Sequence, residues 1–370
     1  MTLLPVVSLF SGAGGLDLAV HRYAEPPLIQ DGSVGRLQTV IATDYDKRTL
    51  ESFVRNFKGV PTLAGDIREV SSADILRVSG LAAGDPFLVV GGPPCTPFSK
   101  SGFWLEQKRM SADPDASLLD EYVRVVRDTR PAAFILENVQ GLTYKTHASQ
   151  FDRLIGQLKE LGYNPQAKVL LAADFGVPQL RRRVFVVGRR DGVAFEFPRP
   201  THGGVSERID TARADLLPYV TAKQAFKGLR AKPEPGELAE GTFADLLASV
   251  PSGHNYLWHT GRGGGEPVFK WRSRYWTFLL RLEPGRPSTT VQAQPGPWVG
   301  PFHWENLPNE HGVMRARRLR VPELLRLMTF PPDFAAGMDR ATVQRQIGNA
   351  VPLELGKVVI RSLMEQMGQL

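Results

Sequence analysis

Residues 5–15 read PVVSLFSGAGG, a short apolar run from Pro5 to Phe10 that Ser-Gly ends and further glycines follow. A run of that length, bounded by turn residues, suits a strand buried on both faces. Leu16 to Tyr23 can follow as a helix. No positive residue precedes the run, so a buried strand is expected here and not a signal peptide. The same alternation continues outward. Thr39 to Ala42 is a strand candidate, and Lys47 to Phe57 a helix. Phe87 to Val90 and Ala133 to Leu136 continue the series, with a helix from an N-cap at Ser117 to about Asp128 between them. Phe151, Leu154, Ile155, Leu158 and Leu161 lie at helical spacing, and Gly162 supplies a stop. Val184 to Val187 is one more strand. Alternation of this kind predicts an α/β fold with a mostly parallel sheet and helices on both faces.

From about Arg189 the character changes. Pro and Gly become frequent, helical periodicity is lost and aromatics cluster. Residues 189–320 hold 19 Lys+Arg against 13 Asp+Glu, which is most of the chain's net +7. Five of the six tryptophans fall between Trp258 and Trp304. A separate, irregular domain is expected there, and Pro352 to Met367 returns to a helical pattern. With 370 residues the chain has room for one large and one smaller domain. Its pI near 9.5 favours a polyanionic partner. A single cysteine excludes an intramolecular disulfide framework and a cysteine-rich zinc site, and it fits a reducing, cytoplasmic location. No metal site is expected, and no apolar run is long enough to span a bilayer.

The turn Phe10-Ser11-Gly12-Ala13-Gly14-Gly15 lets backbone come close to a ligand. It departs from the dinucleotide fingerprint, because Asp17 stands where the third glycine would be. Alone it reads equally as a plain tight turn. Asp44, at the end of the second strand candidate, could accept hydrogen bonds from ribose hydroxyls. Asp66, in Gly65-Asp66-Ile67, could hold a base amino group. Either aspartate alone could be only a cap or turn residue. Three such features at successive strand ends favour a nucleoside-containing cofactor.

Gly91-Gly92-Pro93-Pro94-Cys95-Thr96-Pro97-Phe98-Ser99 follows the strand at Phe87–Val90, at the carboxyl edge of the sheet where open α/β folds bind ligands. The prolines stiffen the loop, so Cys95 reads as a nucleophile and not as a small core residue. Glu137-Asn138-Val139 ends the next strand at the same edge, as a general acid or a structural carboxylate. In Gln179-Leu180-Arg181-Arg182-Arg183, alternation puts Arg181 and Arg183 on one face. A guanidinium near Cys95 would favour the thiolate; otherwise these arginines form a solvated basic edge.

FSGAGGLD, GGPPCTPFS, ENV, QLRRR and QRQIGNAVP together resemble the C5-cytosine DNA methyltransferase family, over residues 5–190 and about 317–357. The resemblance implies a Rossmann-like class I methyltransferase fold with a smaller target-recognition domain. The division is 1–189 catalytic, 190–316 recognition, and 317–370 returning to the catalytic domain. It implies S-adenosylmethionine as cofactor, bound by Phe10, Ser11, Gly12, Gly14, Gly15, Asp44, Tyr45, Asp66, Ile67, Gly92, Pro94, Leu118, Asn349 and Ala350. Cys95 matches the nucleophile that adds to carbon 6 of a cytosine. Glu137 matches the acid at ring nitrogen 3, and Arg181 and Arg183 the pair supporting the cysteine loop and the base. The base must leave the stack to be reached, and Ser99 to Ala116 is a candidate mobile loop. One departure is that Arg320, Val321 and Pro322 stand where Thr-Pro-Arg is more usual.

The implied partner is double-stranded DNA, with Ser99, Lys100, Lys270, Arg272 and Arg274 as candidate contacts. A separately acting restriction endonuclease could accompany a monomeric, cytoplasmic enzyme. An RNA-acting relative would carry Cys-Phe-Thr in the recognition region, which a chain whose single cysteine is Cys95 cannot have. A dead scaffold is disfavoured by the intact Cys95, Glu137 and Arg183. A cysteine hydrolase is disfavoured because His21 and His147 lie outside the motifs. An amino-methylating enzyme would usually carry Pro-Pro followed by an aromatic residue, and here Cys95 follows Pro94.

Overall fold

The computed structural model describes residues 3–24, 36–94, 118–204, 215–229, 236–334 and 338–369. It divides into two compact units. The first comprises Met1–Leu171, Arg182–Arg199 and Ala350–Leu370, and the second Ala172–Arg181 and Pro200–Asn349.

In the first unit the expected alternation is realised as β1 (Leu4–Leu9), α1 (Gly15–Arg22), β2 (Leu37–Asp44), α2 (Lys47–Asn56), β3 (Thr62–Ala64), α3 (Ser72–Ser79), β4 (Leu88–Gly91), α4 (Leu118–Thr129), β5 (Ala133–Val139), α5 (Ala148–Glu160), β6 (Gln166–Leu171) and β7 (Arg182–Arg189). The sheet order is β3-β2-β1-β4-β5-β7-β6. Neighbours from β3 to β5 pair in parallel, and β7 runs antiparallel to both β5 and β6. The order reverses between β1 and β4, so the carboxyl ends of these strands flank a topological switch point.

Burial explains why the central strands lack alternation. β4 is buried at all four positions and β5 at six of seven, as expected when helices cover both faces. On α4 the buried face is Leu118, Leu119, Tyr122, Val123, Val125, Val126 and Thr129, the spacing of one helical stripe. All of these but Thr129 join Val7, Leu9, Val89, Phe134 and Leu136 in one core. The C-terminal helix Leu353–Gln366 belongs to the same unit. At Gly356 an added Cβ would fall 2.7 Å from Ala19 Cβ of α1, so glycine lets these two helices meet.

The second unit has little regular structure. Its main hairpin pairs Phe302–Pro308 with Met314–Arg318 in antiparallel register, and helices span Val321–Leu327 and Arg340–Asn349. A small core of Leu247, Val250, Tyr256, Leu279, Phe302 and Ala316 is rimmed by Phe243, Phe269, Phe278 and Trp298. The rings meet edge to face, Phe269 on Phe278 at 5.7 Å and 89°.

Buried arginines replace the missing ladders. Arg281 donates to the carbonyls of Ala248, Val250, His303 and Trp304, and burial pushes its pKa down to about 10. Arg317 pairs with both oxygens of Glu323 at 2.7 and 2.8 Å. The unusual Arg320-Val321-Pro322 is accommodated in this network. Arg320 N–H donates to Glu323 Oε2 at 2.9 Å, Arg320 Nε meets Glu237 at 2.9 Å, and Pro322 occupies the helix's first turn, where no N–H is needed. The positive surplus of residues 189–320 is therefore partly internal, and the exposed positive charge is smaller than the composition implies.

Candidate active site

The glycine turn sits at the carboxyl end of β1. Phe10, Gly12 and Gly14 have φ of 52°, 57° and 88°. Gly14 is required twice over, because an added Cβ would lie 2.1 Å from Phe57 Cε2. Ser11 N–H donates to Thr43 O at 2.9 Å, and its hydroxyl to Ser8 Oγ at 2.9 Å. Beneath the turn, Asp17 is fully buried and accepts the hydroxyls of Ser8 and Thr39 at 3.0 and 2.9 Å. Burial pushes its pKa up to about 6 against those two hydrogen bonds. The missing third glycine of the fingerprint is thus a carboxyl group that ties β1 to β2.

Asp44 joins the end of β2 to the turn. Its carboxylate accepts Gly12 N–H at 2.8 Å and Asp46 N–H at 2.9 Å. Burial raises its pKa, and these N–H donors work against that rise. A carboxylate has lone pairs beyond two hydrogen bonds, so it can still accept a hydroxyl. Tyr45 is 77% exposed, while Ile67 and Leu118 are buried in the core. Asp66 is gripped by Arg68, whose Nε lies 2.9 and 3.0 Å from its two oxygens and holds the carboxyl below its usual range. Tyr45, Asp46, Lys47, Gly65, Asp66 and Glu69 line a cleft of about 570 Å³. Carboxylates outnumber cations in that lining, which suits a cationic nucleoside with a free diol and an amino group.

At the next strand ends, Gly91 lies between Leu9 of β1 and Leu136 of β5. Asn138 Nδ2 donates to Pro93 O at 3.2 Å and pins the start of the cysteine loop. A Cβ on Gly92 would lie 3.1 Å from Glu137 Oε2, so the carboxylate sits beside the loop's first residues. Pro94 is exposed. Arg183 Nε reaches Glu137 Oε1 at 2.7 Å, with the two side chains 10% and 8% exposed. The N–H does not point along that line, so the contact is an ion pair and not a linear hydrogen bond. The carboxylate and guanidinium together offer an acceptor beside a donor. Cys95, Ser99, Lys100, the Ser99–Ala116 loop and the cap at Ser117 lie outside the described residues.

In the second unit the Arg181 guanidinium donates to Val291 O at 3.2 Å and Gly348 O at 2.6 Å. Gln179, fully buried, donates to Leu327 O and accepts Val291 N–H. Gly348 is forced by packing, since a Cβ there would lie 2.2 Å from Ala293 N. Asn349 is exposed in this unit, and Ala350 belongs to the first. Lys270, Arg272 and Arg274 are exposed beside Trp271, Tyr275 and Trp276. Arg274 lies 5.7 Å from the centre of the Phe278 ring, a cation–π contact. Arg262, a residue the motifs do not mark, covers Trp271 at 4.8 Å. Asn138, Gln179 and Asp17 also escaped a role on sequence grounds. Asn138 and Gln179 stand inside quoted motifs, which was the available signal.

Among the described residues no helix is long and apolar enough to cross a membrane, and no His, Cys, Asp and Glu cluster could hold a metal ion.

Comparison with known proteins gives one answer. The chain matches the model of the C-5 cytosine-specific DNA methylase family over residues 4–365. It is 64% identical over 367 residues to the type II methyltransferase M.SacI of Streptomyces achromogenes, covering 99% of this chain and 94% of that protein. It is 31% identical to the type II methyltransferase M.NgoFVII of Neisseria gonorrhoeae, covering 96% and 86%. The fold is similar to those of the Entamoeba histolytica methyltransferase EhMeth, with TM-score 0.65 and 14% identity, and S. pombe Dnmt2, with TM-score 0.64 and 16% identity. Each alignment covers 99% of both chains. The chain belongs to the family of C-5 cytosine-specific DNA methylases.

Proposed function

We propose that this DNA cytosine-5 methyltransferase uses S-adenosylmethionine and acts through Cys95, Glu137, Arg181 and Arg183 on a cytosine flipped out of a specific duplex site. The observation that carries the reading is the buried Glu137–Arg183 ion pair beside Gly92, at the root of the cysteine loop. Cofactor contacts fall to Phe10, Ser11, Gly12, Gly14, Gly15, Asp44, Tyr45, Asp66, Ile67, Gly92, Pro94 and Leu118, with Asn349 and Ala350. The acidic cleft and the open turn at Gly12 support that assignment. When bound, the cofactor supplies an electrophilic methyl group, which carbon 5 of the cytosine takes.

The rest is the work of this chain's residues. The Cys95 thiolate forms a bond to carbon 6, which makes carbon 5 a nucleophile. Glu137 meets the amino group and ring nitrogen 3, and a proton shared there makes carbon 6 more electrophilic. Arg183 holds Glu137 in place and offers its N–H groups to the carbonyl oxygen of the base. Arg181 braces the backbone at Val291 and Gly348. Solvent water takes the carbon 5 proton, the electron pair left behind restores the carbon 5–carbon 6 double bond, and the bond from Cys95 sulfur to carbon 6 breaks to return the thiolate.

Lys270, Arg272 and Arg274, with Ser99 and Lys100, contact DNA, and residues 190–316 read the target within the division 1–189, 190–316 and 317–370. The names of the relatives support a place in a restriction–modification system. The enzyme works as a cytoplasmic monomer. The test is to incubate the enzyme with S-adenosylmethionine and a duplex library, then map 5-methylcytosine by bisulfite sequencing. Methylation confined to one short sequence is expected, and unmodified DNA despite cofactor binding contradicts the proposal.

A further inference from the structure

Thr260 and Phe269 pair in a β-bridge of the second unit, and between them the chain reads Gly261-Arg262-Gly263-Gly264-Gly265-Glu266-Pro267-Val268. The loop is fixed by its backbone. Gly263 N–H donates to Thr260 O at 2.9 Å, Gly265 N–H to Trp258 O at 3.0 Å, and Phe269 N–H to His259 O at 2.9 Å. Packing sets the glycines. A Cβ on Gly263 would lie 2.1 Å from Trp258 O, one on Gly264 2.3 Å from Trp258 Cη2, and one on Gly265 2.7 Å from Trp258 Cδ1. The loop is wrapped on Trp258, and Arg262 supplies the one side chain of its first five residues.

Arg262 is exposed, yet its guanidinium is held in place. It lies over the Trp271 ring at 4.8 Å, and Trp271 is itself 42% exposed. Its backbone N–H turns inward to Thr260 Oγ1, while among the described residues its guanidinium donates to no acceptor. Glu266 is the single acid between residues 251 and 282, against four exposed cations, Arg262, Lys270, Arg272 and Arg274. A guanidinium stacked on an indole keeps its plane and leaves its donor edge free.

We propose that Arg262 is a specificity-determining residue, its guanidinium fork meeting N7 and O6 of one guanine in the major groove of the target site. The fork carries two parallel N–H groups, and guanine is the base that offers two adjacent acceptors on that edge. A loop with glycine on both sides of Arg262 is narrow enough to enter a groove about 12 Å wide. Trp271 fixes the fork before the DNA arrives, so little freedom is lost on contact. A phosphate needs no such support and is met as well by a flexible chain such as Lys270. This rests on the reading of residues 190–316 as the part that reads the target.

The test uses the full-length enzyme. Its methylated site is mapped on a duplex library, and kcat/KM is then measured on duplexes with each base pair around the target cytosine exchanged in turn, for wild type, Arg262→Ala and Trp271→Leu. Wild type should lose about 5- to 150-fold when one particular G·C pair becomes A·T. Arg262→Ala should lose as much on the cognate duplex and then treat the two pairs alike at that position, with its other preferences and its melting temperature kept. Trp271→Leu, which frees the fork without removing it, should fall between the two. 7-Deazaguanine at that position, which lacks the N7 acceptor, should slow wild type and leave Arg262→Ala unaffected. Wild-type discrimination at every position in Arg262→Ala overturns the proposal. A loss equal on all duplexes, with the slope of log affinity on log salt lower by about 1, marks a phosphate contact and also overturns it. A wild type that methylates no cytosine in the library overturns the reading on which the proposal rests.

Discussion

Replacing Arg183 by methionine removes the guanidinium that pairs with the buried Glu137 carboxylate. At 2.7 Å the two unit charges attract by about 6 kcal/mol at an effective dielectric near 20. Desolvation of both groups cancels part of this, and removing one partner of so buried a pair typically costs about 3–5 kcal/mol. The double variant Arg183→Met/Glu137→Gln, which has no buried charge to strand, should be within about 1 kcal/mol of wild type at pH 8. Urea unfolding followed by far-ultraviolet circular dichroism measures all four corners of the cycle at that pH. Single variants that each cost under about 1 kcal/mol and simply add in the double would refute the reasoning, because a coupled buried pair cannot behave so.

Other consequences are independent of that pair. Asp17→Asn tests the carboxyl beneath the glycine turn. Its folded pKa of about 6 lies above the usual 3.8, so its proton stabilises the folded state below about pH 4, and that advantage is lost as pH rises through 6. The asparagine variant should lack this slope, gaining on the order of 2–3 kcal/mol relative to wild type between pH 4 and 7. Parallel pH–stability curves in denaturant would be the contrary result. Gly91→Ala places a Cβ 2.9 Å from Tyr122 Cε2 and 3.0 Å from Leu9 O, and the latter is sheet backbone that cannot retreat. A loss of about 1–3 kcal/mol is expected, read as a lower urea midpoint. Asp44→Ala should weaken cofactor binding about 10- to 150-fold in calorimetry, the worth of hydrogen bonds to a charged group. Unaltered affinity would remove Asp44 from the cofactor site.

The first unit was legible because its central strands are buried on both faces and are therefore uninterrupted apolar runs. The stretches at Val6, Val89 and Ile135 need no partner information to be recognised. β3, α3 and β6 gave no such signal. β3 is three residues between Pro61 and Gly65, and β6 is half exposed, with Lys168 inside it. The strand-end acids Asp44 and Glu137 were legible for the same reason, since a strand that ends visibly also locates its end, whereas Asp66 was marked only by its glycine turn. What each acid touches was not legible. That Arg68 takes Asp66, and that Arg183 and Arg181 hold different partners, depends on side-chain reach and not on spacing. The second unit was opaque because buried arginines bonded to scattered carbonyls leave no periodic mark. Arg281 and Arg317 look in the sequence like any other part of a basic surface.

The most direct measurement for the central claim is covalent trapping. The enzyme is mixed with S-adenosylmethionine and duplexes carrying 5-fluorocytosine, then analysed by denaturing mass spectrometry with Cys95→Ser in parallel. Fluorine cannot leave carbon 5 as a proton does, so the account requires a stable DNA adduct on the peptide containing Cys95. The adduct should depend on cofactor and be absent from the serine variant. An enzyme that methylates the same duplex in its unfluorinated form but gives no adduct, or gives one that survives in Cys95→Ser, would contradict nucleophilic catalysis by Cys95.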